Sequence, residues 1–129
     1  MSMSSFADLG VSRPVVDALT RGGISDPFPI QRLVIGEVLA GRDVLVRSPT
    51  GSGKTLAFGV PILERVDAPG DGRPQALVVV PTRELAIQVA SDIEIAGKPR
   101  GVRVLTIYGG RSYEPQVASL KAGVEVVVG

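Results

Sequence analysis

The stretch that decides the fold is Asp43-Val44-Leu45-Val46-Arg47-Ser48-Pro49-Thr50-Gly51-Ser52-Gly53-Lys54-Thr55. A short run of aliphatic residues, 44–46, is followed by a loop rich in glycine and serine and then by helix formers from Lys54 to about residue 66. A strand, a glycine-rich loop and a helix in this order are typical of a loop that binds phosphate. The sequence therefore predicts a phosphate site where this helix begins.

Residue types in this loop match the chemistry that phosphate requires. Glycines at 51 and 53 allow backbone conformations that direct successive N–H groups toward one anion. Lys54 is placed to reach the β and γ phosphates of a nucleoside triphosphate, and the Thr55 hydroxyl to ligate Mg²⁺. The strict pattern has Gly where this chain has Ser48. The alternative is a loop that caps a helix without binding any ligand.

The alternation of strand and helix continues to the end of the sequence. Strands are predicted at residues 76–80, 102–107 and 124–128, and helices at residues 83–95 and 114–121. Apolar strands that alternate with helices of 10–15 residues are typical of a parallel sheet covered on both faces. With the strand at 44–46 this predicts a three-layer α/β fold with four mainly parallel strands. Two further helices are predicted before it, one starting near Ser12 and one at Pro29.

Composition narrows the possible chemistry. The 129 residues include neither Cys nor His, which excludes disulfides, thiolate nucleophiles, His-ligated metals and Ser-His-Asp hydrolysis. With 14 basic and 13 acidic residues the net charge is +1, so no strongly basic tail is present. The longest apolar run, residues 76–80, is far shorter than the ~20 residues that a membrane helix needs, and the N-terminus shows no targeting pattern. We expect a cytoplasmic protein without a membrane partner.

A second group of residues, Gly23-Ile24-Ser25-Asp26-Pro27-Phe28-Pro29-Ile30-Gln31, leads into the second predicted helix. The side chain of Gln31 offers both a donor and an acceptor, which match N7 and the exocyclic amine of adenine. This pairing gives a physical route to preferring ATP over GTP. The alternative is a glutamine on the solvent face of the helix.

Two further segments carry groups that suit an anion. Thr82, in Pro81-Thr82-Arg83, is placed to cap the helix that follows, which leaves free amides beside Arg83. A plain capped helix is the alternative. Further along, Gly109-Gly110 follows a strand within a window of positive charge and no acidic residue, whose members are Lys98, Arg100, Arg103 and Arg111. Four phosphate contacts would give salt-dependent affinity for nucleic acid, whereas the alternative is a solvated face.

Taken in order, these segments resemble the start of the first RecA-like domain of a DEAD-box ATP-dependent RNA helicase. The resemblance covers essentially all 129 residues. It rests on Phe6 upstream of the Q motif (residues 23–31), motif I (48–55), motif Ia (81–86) and the GG motif (109–110). On this basis residues 1–41 are predicted to be N-terminal helices with the Q motif, and residues 42–129 part of a P-loop ATP-binding domain, together one structural unit.

The resemblance assigns roles to individual residues. It implies that Gln31 reads adenine, that Phe6 and Ile24 also lie at the nucleotide, and that residues 48–55 hold the phosphates. It implies catalytic roles for Lys54, which steadies the transferring phosphoryl group, and for Thr55, which helps to hold Mg²⁺. RNA backbone contacts with little sequence preference are implied for Pro81, Thr82, Arg83, Gly109 and Gly110. We add Arg111 to them because of its charge and position.

Departures from the family pattern qualify this reading. Ile24 stands where an aromatic residue usually stacks beside adenine, and Phe28 where a small hydroxylated residue is common. The sequence has no Asp-Glu-Ala-Asp run, no Ser-Ala-Thr run and no second RecA-like domain. We therefore expect a truncated helicase whose isolated hydrolysis is near background. The alternatives are a stand-alone, non-catalytic nucleotide- or nucleic-acid-binding module, and another nucleic-acid translocase with the same core.

Overall fold

A computed structural model of the protein describes residues 5–47, 53–110 and 112–129. The described chain forms two compact units, Met1–Arg65 and Val66–Gly129. The helices are α1 (Arg13–Arg21), α2 (Pro29–Leu39), α3 (Lys54–Arg65), α4 (Arg83–Gly97), a short 3₁₀ helix (Lys98–Arg100) and α5 (Tyr113–Ala122), and the strands are β1 (Ala76–Val78), β2 (Val104–Thr106) and β3 (Val126–Val128). The predicted α/β class is confirmed, and each predicted helix is present. The predicted boundary between residues 41 and 42 stays a prediction.

Helix α1 opens the first unit and is tied to α3 by a polar contact. Ser12, its extended N-terminal flank, donates its N–H and its hydroxyl to the Oε1 of Glu64, at 3.0 and 2.8 Å. Val15 and Leu19, which the sequence places on the apolar stripe, are buried. The carboxylate of Glu64 thereby satisfies a backbone amide at the helix start that has no partner within the helix.

Helices α2 and α3 pack against each other. On α2 the buried residues are Gln31, Val34 and Ile35, whereas the apolar Leu33 is 70% exposed. On α3 the buried face includes Val60 and Leu63. Helix α3 continues through Pro61, whose missing N–H removes one bond from the helix interior.

The second unit is built on a parallel sheet of three strands in the order β1-β3-β2. Ala76 and Val104 both align with Val126, so the two outer strands are level along β3. All residues of β3 are buried, and α4 packs on β2 and β3. Backbone bonds continue beyond the strand ends, from Val80 N–H to the Gly129 carbonyl at 2.9 Å and from Ile107 N–H to the Val128 carbonyl at 2.8 Å. These bonds match the longer strands predicted from the sequence.

The predicted strand at residues 44–46 is wrong. Residues 42–47 belong to neither helix nor strand, and Leu45 is fully exposed, with Val44 and Val46 also exposed. A strand forms only when a neighbour accepts and donates the bonds of its backbone. Among the described residues no strand pairs with this run, so aliphatic composition alone does not produce a strand here.

An ion pair between the buried Glu125 and the partly exposed Arg103 lies at the start of the sheet. Glu125, immediately before β3, is fully buried, and its Oε1 accepts the main-chain N–H of Arg103 at 2.8 Å. The guanidinium of Arg103 donates to both carboxylate oxygens. Hydrogen bonds from this guanidinium hold the pKa of Glu125 below its ordinary value, against the opposing effect of burial. The main-chain carbonyl of Glu125 accepts the N–H groups of Gln75 and Ala76, so β1 starts at the same residue.

We predict that Glu125→Gln lowers the free energy of unfolding by about 2 kcal/mol at pH 7, because it removes a charge-assisted hydrogen-bond network. Urea unfolding followed by circular dichroism measures the change. Because the pKa of Glu125 is lower in the folded state, its contribution is present above the ordinary glutamate pKa of about 4.3 and is lost as the pH falls below it. The loss for the variant should therefore shrink at low pH.

Glu37→Gln is the matched control for this experiment. Glu37 pairs with Arg42 at 2.7 Å, but both side chains are exposed, and an exposed pair contributes about 0.5 kcal/mol or less. Equal losses in the two variants would show that burial adds nothing to the Glu125 pair.

Candidate nucleotide and nucleic-acid sites

Gln31 is buried at the start of α2, with 1% of its surface exposed. Its Oε1 accepts the N–H of Phe28 at 2.8 Å, and its Nε2 donates to the carbonyl of Gly53 at 3.1 Å. The first bond satisfies an amide next to the helix start, and the second joins α2 to the chain entering α3. The alternative of a solvent-facing Gln31 is therefore wrong.

Gly53 occupies a position that only glycine fills without strain. Its φ of +86° lies in the left-handed region, and a Cβ there would lie 2.5 Å from Nε2 of Gln31 and 2.7 Å from Cδ2 of Phe28. Its carbonyl also accepts the N–H of Ala57 at 3.2 Å, the first bond along α3. Gly53 is thus the point at which the Gln31 amide holds the start of α3.

Lys54 and Thr55 are the first two residues of α3. The side chain of Lys54 is exposed and that of Thr55 is half-buried. Amides in the first turn of a helix lack intrahelical partners and attract an anion. The remaining predicted phosphate-binding residues, Ser48, Pro49, Thr50, Gly51 and Ser52, lie outside the described residues. Phosphate binding by the loop stays a prediction.

Phe6 and Ile24, in the first unit, are less exposed to solvent than Lys54. Phe6 is 1% exposed, and its carbonyl accepts the N–H groups of Leu9 and Val11 in a turn before α1. Ile24 follows α1 and is half-buried. It donates its N–H to the main-chain carbonyl of Leu19 at 2.8 Å. Their predicted contacts with a nucleotide stay predictions.

In the second unit, the residues predicted to bind RNA follow the carboxyl ends of β1 and β2. The hydroxyl of Thr82 accepts the N–H of Leu85 at 3.2 Å, which confirms the predicted cap of α4. Pro81, Thr82 and Arg83 are all exposed at this helix start. The Thr82 cap and the exposed side chain of Arg83 lie together at this helix start, an arrangement that suits an anion.

The glycine pair lies beside this helix start. Gly109 and Gly110 follow Tyr108 after β2 and are exposed, and Gly110 has a φ of +81°. The Cζ of Arg83 lies 5.4 Å from the centre of the Tyr108 ring, within the range of a cation–π contact. The structure therefore brings the segments at 81–83 and 108–110 together. Arg111 lies outside the described residues.

Sequence reasoning missed Tyr108 and Gln116. Gln116, in α5, is 5% exposed; its Oε1 accepts the N–H of Tyr108 at 3.2 Å and its Nε2 donates to the carbonyl of Ser112 at 3.0 Å. The available signal was a glutamine near the start of a helix that follows a loop, the same placement that drew attention to Gln31.

Two of the four cations that could contact phosphate in the positive window have partners within the second unit. Arg103 is paired with Glu125, which raises the arginine's own pKa mainly through their hydrogen bonds. Arg100 donates from Nη2 to the carbonyl of Val66 at 3.2 Å. Both side chains bond to other residues of the second unit and stabilise it, so their charges are already engaged and are not available to bind phosphate.

Two negative findings hold for the described ranges. No group of three or more Asp or Glu side chains is arranged there to hold a metal ion. In the same ranges, no helix combines the length and apolar character needed to pass through a bilayer. Thr55, the predicted Mg²⁺ ligand, offers one hydroxyl oxygen. Its role in holding Mg²⁺ stays a prediction.

Comparison with known proteins gives a consistent result. The family model for DEAD/DEAH box helicases matches residues 28–129. The chain is 48% identical over 127 residues to "ATP-dependent RNA helicase DeaD" of Klebsiella pneumoniae, covering 98% of this chain and 20% of that protein. It is 46% identical to "DEAD-box ATP-dependent RNA helicase CshA" of Geobacillus kaustophilus, again covering 98% of this chain and 27% of the relative. The chain thus spans about a fifth to a quarter of the length of the curated relatives it matches.

Solved structures are similar as well. A DEAD box protein from Methanococcus jannaschii has a TM-score of 0.91 and 35% identity, with 100% of this chain and 35% of that chain covered. The RNA helicase Prp28 from Chaetomium thermophilum, bound to ADP, has a TM-score of 0.88 and 38% identity, with 98% and 32% covered. At 35% and 38% identity, these two structures support membership of the same family as well as a shared fold.

We predict that Gly53→Ala destabilises the protein by about 2 kcal/mol, because an L side chain is strained at positive φ and would displace Gln31. Urea unfolding measures the loss. Gly36→Ala is the matched control, since Gly36 lies inside α2 with open space around its Cβ position. That control should stabilise the protein by about 0.5–1 kcal/mol. Unchanged stability in Gly53→Ala would contradict the close packing around Gly53.

Proposed function

Since the chain belongs to the DEAD/DEAH box helicase family, we propose that it is the nucleotide-binding and RNA-binding part of an ATP-dependent RNA helicase. In the full-length protein, ATP hydrolysis would be coupled to RNA unwinding. The observation that carries the proposal is the hydrogen bond between Gln31 and Gly53. This bond joins the side chain suited to read adenine to the residue that precedes Lys54 and Thr55.

For the nucleotide, the proposal places the phosphates at the start of α3. Lys54 provides the positive charge and Thr55 a hydroxyl oxygen for Mg²⁺, which would stabilise charge on the phosphates when bound. The exposure of Lys54 leaves it accessible from solvent. The similar structure of Prp28 is bound to ADP, which supports an adenine nucleotide as a ligand of this chain.

For the base, the proposal assigns adenine recognition to Gln31. Its oxygen has two lone pairs and its nitrogen two N–H donors, of which Phe28 and Gly53 engage one each. The remaining donor and acceptor match N7 and the exocyclic amine of adenine. Because Gln31 is buried, base binding requires that neighbouring side chains such as the half-exposed Phe28 move aside.

For RNA, the proposal uses the exposed surface formed by residues 81–83 and 109–110. Free amides at the start of α4, the Arg83 guanidinium and the backbone of a glycine pair all suit phosphate oxygens and read no base. The similar proteins DeaD and CshA are named RNA helicases, which supports RNA as the ligand. Binding would show little sequence preference.

Hydrolysis by the isolated chain is proposed to be near background. In phosphoryl transfer, catalysis comes from positioning and charge stabilisation by several groups together. The proposed site offers Lys54 and Thr55, and within the described residues no acidic cluster holds a metal. Binding experiments therefore test the proposed site more directly than turnover does.

We predict saturable binding of ATP with Mg²⁺, tighter than that of GTP, measured by isothermal titration calorimetry. Lys54→Ala should weaken ATP binding by about 10- to 100-fold, because it removes a charged hydrogen-bond donor to phosphate. Lys121→Ala, which removes an exposed lysine in the last turn of α5, is the control and should bind as wild type. Equal affinities for the two lysine variants would contradict the proposed role of Lys54.

Gln31→Glu tests base recognition separately. It preserves the size of the side chain and the acceptor for Phe28 N–H but removes both N–H donors, the one that bonds the Gly53 carbonyl and the one that N7 needs. The preference for ATP over GTP should fall by about tenfold. Circular dichroism verifies that α2 and α3 persist, and an unchanged preference in the folded variant would exclude Gln31 as the reader of adenine.

Arg83→Ala tests the RNA surface. Single-stranded RNA binding, measured by filter retention at several salt concentrations, should weaken, and the slope of log K against log salt should become less steep by about 0.7 for one lost phosphate contact. Arg73→Ala is the control, since Arg73 is exposed before β1, at the amino end of the sheet. A slope change in the Arg73 variant alone would place RNA elsewhere.

A further inference from the structure

We propose that Gln116 is a positioning residue for RNA, because its side chain fixes the backbone on either side of the Gly109-Gly110 turn and, through Tyr108, orients Arg83. This inference rests on the proposed RNA-binding function and names a residue that acts through others. Gln116 is itself buried, with 5% of its surface exposed, so it acts through the residues to which it bonds.

The buried side-chain amide of Gln116 bonds to the backbone on both sides of the glycine pair. Oε1 of Gln116 accepts from Tyr108 N–H before the glycine pair, and Nε2 donates to the Ser112 carbonyl after it. A buried amide lowers stability unless both of its ends find partners. Here the partners are backbone groups of the turn itself, so the amide restrains a segment whose glycines would otherwise sample many conformations.

The second support is the contact made by the residue that Gln116 holds. With the backbone of Tyr108 fixed, its ring lies under the guanidinium of Arg83 at 5.4 Å. An arginine stacked on an aromatic face keeps its N–H groups directed along the plane of the guanidinium. Because the strand order is β1-β3-β2, this contact joins the segments after the two outer strands across the end of β3.

The physical effect of this arrangement is preorganisation. A glycine turn that is ordered before RNA arrives loses less conformational entropy when phosphates bind. Loss of the Gln116 bonds should therefore weaken RNA binding without removing any phosphate contact. The affinity falls, and the dependence on salt does not.

The test compares Gln116→Leu with Gln75→Leu in the 129-residue chain. Gln75 forms the same two kinds of bond, since Oε1 accepts Asp67 N–H at 2.8 Å and Nε2 donates to the Asp67 carbonyl at 2.9 Å, at the amino end of the sheet. The probe is a single-stranded uridine oligonucleotide, titrated by filter retention at several salt concentrations. Gln116→Leu should bind about tenfold more weakly with the wild-type salt slope, and Gln75→Leu should bind as wild type.

A second measurement separates positioning from general destabilisation. Hydrogen exchange of the Tyr108 amide should accelerate in Gln116→Leu, whereas Gln116→Glu, which keeps the acceptor, should retain its protection. If Gln116→Leu does not fold, Gln116→Glu decides the question, because it still loses the bond to Ser112 and should bind RNA several-fold more weakly than wild type.

The outcomes are distinguishable. Wild-type affinity in a folded Gln116 variant with an accelerated Tyr108 amide overturns the positioning role and leaves the RNA surface intact. Equal weakening by Gln116→Leu and Gln75→Leu also overturns it, because the effect would then be one of stability. Failure of the wild-type chain to bind the oligonucleotide overturns the proposed RNA function itself and, with it, the role of Gln116.

Discussion

The second unit depends on one buried carboxylate. Glu125 is the residue from which β3 starts, and its side chain and main chain bond to residues at the starts of both neighbouring strands. The three valines of β3 specify their own register weakly, since a slip along this strand exchanges one valine for another. The bonds of Glu125 to Arg103, Gln75 and Ala76 align the starts of β1 and β2 with the start of β3. Level strand starts give level strand ends, and the segments carrying Arg83 and Tyr108 leave from those ends.

Both units use the same arrangement to shape a loop that is proposed to bind a ligand. A glycine gives the backbone a conformation that other residues avoid, and a buried glutamine near a helix start restrains it through side-chain bonds to main-chain groups. In the first unit Gln31 bonds to Gly53, and in the second Gln116 bonds on both sides of Gly109-Gly110. At Gly53 the missing Cβ also allows the close approach of the Gln31 amide, whose Nε2 would lie 2.5 Å from a Cβ at that position.

Much of the fold could be predicted from local patterns, and the exceptions have physical reasons. The helix starts at Pro29 and Thr82 follow from residue chemistry within a few positions, so their prediction succeeded. Residues 44–46 have the composition of a strand, but strand formation depends on a partner that composition does not reveal. Arg103 was interpreted as a free cation because its partner, Glu125, is distant in sequence.

The residues of the candidate sites also divide into those whose roles follow from neighbouring residues and those whose roles depend on contacts distant in sequence. Lys54, Thr55 and Thr82 could be selected because their chemistry is set by the adjacent helix start. The burial of Gln31 and the roles of Tyr108 and Gln116 depend on contacts between segments, which a single sequence does not display. Residues 48–52 and Arg111, which carry much of the predicted chemistry, lie outside the described residues, so their roles stay predictions.

The stacking of Arg83 on Tyr108 has a spectroscopic consequence. The chain has no tryptophan and only two tyrosines, Tyr108 and Tyr113, and both lie next to the glycine pair. Its intrinsic tyrosine fluorescence therefore originates entirely from residues beside the glycine pair. A guanidinium that leaves the ring of Tyr108 changes the surroundings of one of two emitters, so the unlabelled protein carries a built-in optical reporter of the surface proposed for RNA.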